Sequence, residues 1–321
     1  MNSDSPLAIL DPRFRLVSGR TKPDFMLVGG AKCGSTSFSR YIAAHPQVTI
    51  NGPKEPNFWS WHRYPRRYQD FFVNEEPINN PSPEAPISGE FSTSSLLHPL
   101  VPRRVLANLP SIRIFILLRN PIDRTYSHYQ MAKNAGQEKE CAFDDIVANE
   151  IDEVPTLLKA HMDGFDHSSG DPKRCFSDEN GKPLRVAKHI HGFPERTLLT
   201  EMDLRSFYVQ SFVFRSIYCD QVERWLRLFS RDQIMFLQSE EFFSDPSLTM
   251  DRVAKFLGLQ KFDFGSSGPL QRAWDLGAQD VFETPREYPD MNEETRLMLA
   301  DFFKPYNERL YQLIGHDLDW D

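Results

Sequence analysis

Asp24-Phe25-Met26-Leu27-Val28 reads as a short buried strand, Gly29 to Gly34 as a tight loop, and Ser35 to Ala44 as a helix with Phe38, Tyr41 and Ile42 facing inward. Glycines let the backbone approach a ligand closely, and the free N–H groups that open a helix favour an anion there. A buried strand joined to a helix through so short a loop belongs inside a sheet wrapped by helices.

The same joint recurs. Ile112 to Leu118 is a second apolar run, stopped by Arg119-Asn120-Pro121, with Asn120 placed to cap and Pro121 to open a helix that carries Arg124, Ser127 and Tyr129. Gln233 to Gln238 gives a third strand, and Glu90 stands at the end of another. Tyr218, Val222, Trp225, Leu226 and Phe229 form an amphipathic pattern, and helices are also expected over Leu248 to Leu257 and Asn292 to Leu313. Pro53 to Pro86 reads as loops with a short helix around Tyr64 to Phe72. Between Gln137 and Leu204 the periodicity fades, turns are marked by Gly170-Asp171-Pro172 and Asn180-Gly181, and the stretch reads as an insertion over the active site. The expectation is an α/β fold: a single domain over residues 23–321, after an arm of residues 1–22, with a mostly parallel central sheet, a P-loop-like phosphate loop and helices on both faces. Ligands of such sheets bind at the carboxyl ends of the strands.

A net charge of −8 over 321 residues argues against a general nucleic-acid binder or a basic membrane-surface protein. Cys33, Cys141, Cys175 and Cys219 are widely spread without C-x-x-C spacing, so neither a zinc site nor a disulfide framework is suggested; a Cys141–Cys175 bridge stays open. No apolar run has the length of a signal or a membrane span, which points to a cytoplasmic protein, with a lumenal fragment of an anchored enzyme as the alternative.

Gly29-Gly30-Ala31-Lys32-Cys33-Gly34-Ser35-Thr36-Ser37 matches a Walker loop only loosely, because Lys32 precedes the last glycine instead of following it. Lys32 to Ser37 instead resembles the 5'-phosphosulfate loop of sulfotransferases that use PAPS (3'-phosphoadenosine 5'-phosphosulfate). Arg119-Asn120-Pro121-Ile122-Asp123-Arg124-Thr125-Tyr126-Ser127 resembles their 3'-phosphate motif, an Arg at a strand end and a Ser about two helical turns later. The likeness extends through Lys54 to Trp59, Gly89 to Ser92, Arg215 to Tyr218 and Phe303 to Leu310, and is strongest to the carbohydrate branch, including heparan sulfate sulfotransferases and the enzyme that 6-sulfates N-acetylgalactosamine 4-sulfate. The resemblance implies PAPS as donor, PAP as product, no metal, and an acceptor with a hydroxyl or amine. It implies donor contacts from Lys32, Cys33, Gly34, Ser35, Thr36, Ser37, Arg119, Ser127, Tyr218 and Arg286. That last residue stands in Thr284-Pro285-Arg286, where the branch has a Lys-Gly-Arg loop, so the Lys is lost; a Lys that heparan sulfate enzymes place after the glutamate of their second acidic motif is Phe91 here.

The chemistry suits these residue types. Sulfuryl transfer is an in-line displacement of a group less charged than phosphoryl, so Lys32 and backbone N–H groups can neutralise the leaving phosphate without a metal. An acceptor hydroxyl loses its proton as it attacks and needs a base. Glu55 lies in the segment that matches the family's glutamate base, against the plain reading of a surface carboxylate beside Lys54; Glu90 is the second choice, and His128 a candidate on the acceptor side. His189-x-His191 lacks the further ligands a metal shell needs. Trp59, Trp61, His62 and Tyr64 could stack on a sugar or simply fill the core, and Cys33 is a small loop residue whose helix N-terminus would lower its pKa. Competing readings are sulfation of a small natural product by the same chemistry, a P-loop kinase or NTPase, and a nucleotide-binding module without catalysis.

Overall fold

A computed structural model describes residues 22–49, 55–60, 87–136, 141–166, 185–186, 197–198, 211–264 and 288–320. Its centre is a five-stranded sheet in the order β2-β3-β1-β4-β7. The strands are β1 (Phe25–Gly29), β2 (Val48–Thr49), β3 (Ile87–Phe91), β4 (Arg113–Leu118) and β7 (Ile234–Gln238), every neighbouring pair parallel. A separate antiparallel pair joins β5 (Arg185–Val186) to β6 (Thr197–Leu198).

The apolar runs are continuous because both faces of the sheet are covered. Met26, Val28, Ile114, Ile116 and Leu118 point into one core cluster, and Phe25, Leu27, Phe115 and Leu117 into the other. On the first face pack α2 (Val101–Asn108), α3 (Pro121–Asn134), α4 (Phe143–Asp166), α5 (Tyr218–Leu226) and α8 (Glu293–Ile314). On the second lie α1 (Ser35–Ala43), α6 (Ser239–Ser244) and α7 (Pro246–Leu257). The helices bury the residues their spacing indicates: Phe38 and Ile42 from α1, Val222 and Trp225 from α5, and Val253 and Leu257 from α7. β3 crosses β1 with no room to spare at Gly89, where an added Cβ would come within 2.3 Å of the Phe25 ring.

One helix was not legible in the sequence. Residues 143–166, inside the stretch read as an insertion, form a 24-residue helix that packs on the main core through Phe143, Ile146, Val147, Val154 and Leu157. The periodicity was masked because inward positions hold Glu150 and His161, both buried, and because Pro155 sits inside the helix. Glu150 accepts the backbone N–H of Phe212, Val213 and Phe214, so it caps the 3-10 turn that leads into α5. Burial pushes its carboxyl up to about 7 despite those three donors.

Residues 1–21, the proposed helix around Tyr64 to Phe72, the turns at Gly170 and Asn180, and the histidines 189 and 191 lie outside the described residues, as does Cys175 of the Cys141–Cys175 pair.

Candidate donor and acceptor site

The site residues gather at the carboxyl ends of β1, β3, β4 and β7. β1 ends in a loop pinned to its neighbour by the Gly30 N–H to Leu117 O bond. Lys32 at φ 68 and Gly34 at φ 91 take left-handed backbone there. Gly34 is the N-cap of α1 with no side-chain cap, and a Cβ on it would meet the Phe243 ring at 2.8 Å. The first turn of α1 holds no acidic residue, so no carboxylate of that turn offsets the positive end of the helix. Ser35 is buried, Ser37 half-buried and Thr36 exposed.

The second joint stands beside the first. Asn120 Oδ1 accepts the N–H of Ile122 at 3.0 Å and of Asp123 at 3.5 Å, and Pro121 opens α3 as its sequence implies. Half-buried Arg119 donates through Nη1 to the carbonyl of Lys32 at 3.3 Å, which brings the two basic residues of the separate motifs together. Ser127 lies further along α3, buried.

Glu55, at φ 60, is fastened to the end of β3: its N–H donates to Phe91 O at 2.8 Å, and its Oε2 accepts from Thr93 N at 2.8 Å and Thr93 Oγ1 at 3.2 Å. It remains partly exposed. Glu90 is different. It is 2% exposed, and its two oxygens accept from Trp59 Nε1 at 3.0 Å and Ser92 Oγ at 2.9 Å. Ser92 Oγ also accepts the N–H of Asn57, so Glu90 ties the Glu55 segment to β3.

Three further residues are buried. His128 is not on the surface: it is 1% exposed, with Nδ1 3.1 Å from Arg124 Nη2 and its ring edge-on to Phe212. Trp59 is fully buried, which makes it core and not a sugar platform. The Cys33 thiol is also fully buried beneath the loop, and burial raises its pKa where the helix end alone would have lowered it, keeping it a thiol.

Tyr218 is buried too, and its hydroxyl donates to Arg119 O at 3.0 Å and lies 3.7 Å from Cys33 Sγ. It therefore links the loop after β1 to the end of β4. Arg286 lies outside the described residues, as do Trp61, His62 and Tyr64.

Sequence reading passed over two buried arginines. Arg124 is fully buried and donates to Phe212 O at 2.7 Å, and burial lowers its pKa while nearby Tyr218, Cys33 and Glu150 oppose that shift. Arg215 reaches Thr93 O at 3.4 Å, behind the Glu55 carboxylate. The one-turn spacing of Arg124 and His128 was the available signal.

Among the described residues no group of three or more His, Cys, Asp and Glu is placed to hold a metal, and no helix is long and apolar enough to cross a membrane.

A tight loop after β1, an arginine at the end of β4 and a glutamate segment tied to β3 thus lie together at one end of a parallel sheet. The chain belongs to the sulfotransferase family, whose domain model matches residues 22–276. It is 22% identical over 93% of its length to the membrane-associated sulfotransferase kil1 of Dictyostelium discoideum, and 26% identical over 91% to the human bifunctional heparan sulfate N-deacetylase/N-sulfotransferase 2. It spans 66% of the first of these relatives and 29% of the second. The crystal structure of a sulfotransferase from Alicyclobacillus acidocaldarius superimposes with a TM-score of 0.60 at 23% identity, covering 94% of this chain and 99% of that one, and so shares its fold.

Proposed function

We propose that this chain transfers a sulfuryl group from PAPS to a hydroxyl or amine of a carbohydrate acceptor. The single observation that carries the donor half is the 3.3 Å contact between Arg119 and the Lys32 carbonyl, which joins a loop suited to a 5'-phosphosulfate to an arginine suited to a 3'-phosphate. The carbohydrate half rests on the heparan sulfate relatives.

In this reading the N–H groups of Gly34 to Ser37 and the Lys32 ammonium hold the 5'-phosphate. As the sulfur–oxygen bond to that phosphate breaks, its bridging oxygen gains negative charge, which Lys32 offsets more strongly than in the ground state. The acceptor oxygen or nitrogen attacks sulfur from the opposite side. Its proton goes to Glu55, whose carboxylate is aimed by the two Thr93 donors and which stays open enough to meet a substrate. Glu90, with both oxygens already engaged by Trp59 and Ser92, braces that segment.

An acceptor array supplied with PAPS and read by PAP release tests the proposal. Turnover is expected with desulfated glycosaminoglycan fragments. Turnover confined to small phenols or alcohols would keep the donor chemistry and replace the carbohydrate; hydrolysis of ATP without use of PAPS would favour the NTPase reading.

A further inference from the structure

Resting on the donor-site reading above, we propose that Ser239 and Glu240 are positioning residues that set the spacing between the two phosphate-gripping segments. They follow β7 directly. The register that pairs Leu118 with Gln238 brings the end of β4 and the end of β7 side by side, so that Arg119 and Ser239 leave the sheet together.

The two neighbours then reach different partners. Ser239 Oγ donates to Cys33 O at 2.6 Å, inside the loop that follows β1. Glu240 Oε1 accepts the N–H of Asn120 at 2.9 Å, at the joint that follows β4. The peptide unit between Arg119 and Asn120 is thereby held at both ends, by Tyr218 Oη on its carbonyl and by Glu240 on its N–H. One rigid dipeptide spans the two motifs, and a ligand that must touch both is sensitive to a shift in either.

Charge makes the role of Glu240 testable. It is exposed and close enough to Cys33 to raise that thiol's pKa, so it places a negative charge near a site meant for anions. Repulsion alone would disfavour a donor phosphate. Glutamine would retain the hydrogen bond to Asn120 while removing the charge.

The test compares PAP, which engages both segments, with adenosine 5'-phosphosulfate, which lacks the 3'-phosphate. Affinities are measured by calorimetry on the full chain for Ser239→Ala, Ser239→Thr, Glu240→Leu and Glu240→Gln. Ser239→Ala and Glu240→Leu are expected to weaken PAP by about 2- to 10-fold, the worth of one lost hydrogen bond, and to weaken adenosine 5'-phosphosulfate, which engages only the loop after β1, by clearly less. Ser239→Thr should match wild type, and Glu240→Gln should match or exceed it. Equal losses for both nucleotides, a Gln variant as weak as the Leu variant, or unchanged PAP affinity in all four would each overturn the brace while wild-type PAP binding left the donor reading standing. Wild-type protein that fails to bind PAP would overturn both.

Discussion

Glu55→Gln is expected to lower turnover by roughly 10²-fold or more, the usual worth of a positioned general base, while PAP affinity changes little. Glutamine keeps an oxygen for the Thr93 N–H and hydroxyl, so the segment should stay in place and only the basicity is lost. The matching Glu90→Gln variant should behave differently. Both Glu90 oxygens accept hydrogen bonds in a buried site; an amide nitrogen facing Trp59 Nε1 sets donor against donor, and one facing Ser92 Oγ displaces the hydroxyl proton from its acceptor, so the change costs about 1–3 kcal/mol of stability. Its signature is a lowered melting temperature at near-normal turnover per folded molecule. Rates and melting curves for both variants check this; a Glu90 variant that is crippled but stable, beside an active Glu55 variant, would move the base to Glu90.

Arg119→Ala should separate PAP, which carries a 3'-phosphate, from adenosine 5'-phosphosulfate, which does not. Charge-assisted hydrogen bonds contribute about 1.5–3 kcal/mol each, so loss of one such contact weakens PAP by roughly 10- to 150-fold. Adenosine 5'-phosphosulfate, without the 3'-phosphate, should lose far less. The guanidinium already donates to Lys32 O, so a small common loss from a loosened loop is expected for both ligands. Equal large losses would remove Arg119 from the 3'-phosphate.

Much of this site could be read before the fold was known, for identifiable reasons. The strand-to-helix joints at Gly29–Gly34 and Arg119–Pro121 are local: glycine φ values, an Asn cap and Pro at the first helical position act over a few residues, and the structure keeps each of them. The sheet was legible because β1 and β4 are buried on both faces and so carry unbroken apolar runs. What failed was long-range. α4 was hidden because Glu150 and His161 occupy inward positions, and a polar residue is stable there only through partners distant in sequence, the Phe212–Phe214 amides in the case of Glu150. The burial of His128 was hidden for the same reason: its neighbour Phe212 arrives from another part of the chain. The Ser239–Glu240 bonds carry no sequence signature, since a serine and a glutamate that open a short helix look like ordinary caps until the register of β7 on β4 sets them beside Cys33 and Asn120.

Titration calorimetry with PAP in EDTA tests the donor site most directly. In the proposed donor site Lys32, Arg119, Ser127 and the first amides of α1 would hold the nucleotide unaided, so PAP should bind without any divalent ion, and at 100 times its dissociation constant it should stabilise the fold by about 2.7 kcal/mol. Binding of PAP under these conditions, with ATP much weaker whether or not magnesium is added, is the predicted result; tight binding of MgATP with none of PAP would contradict it.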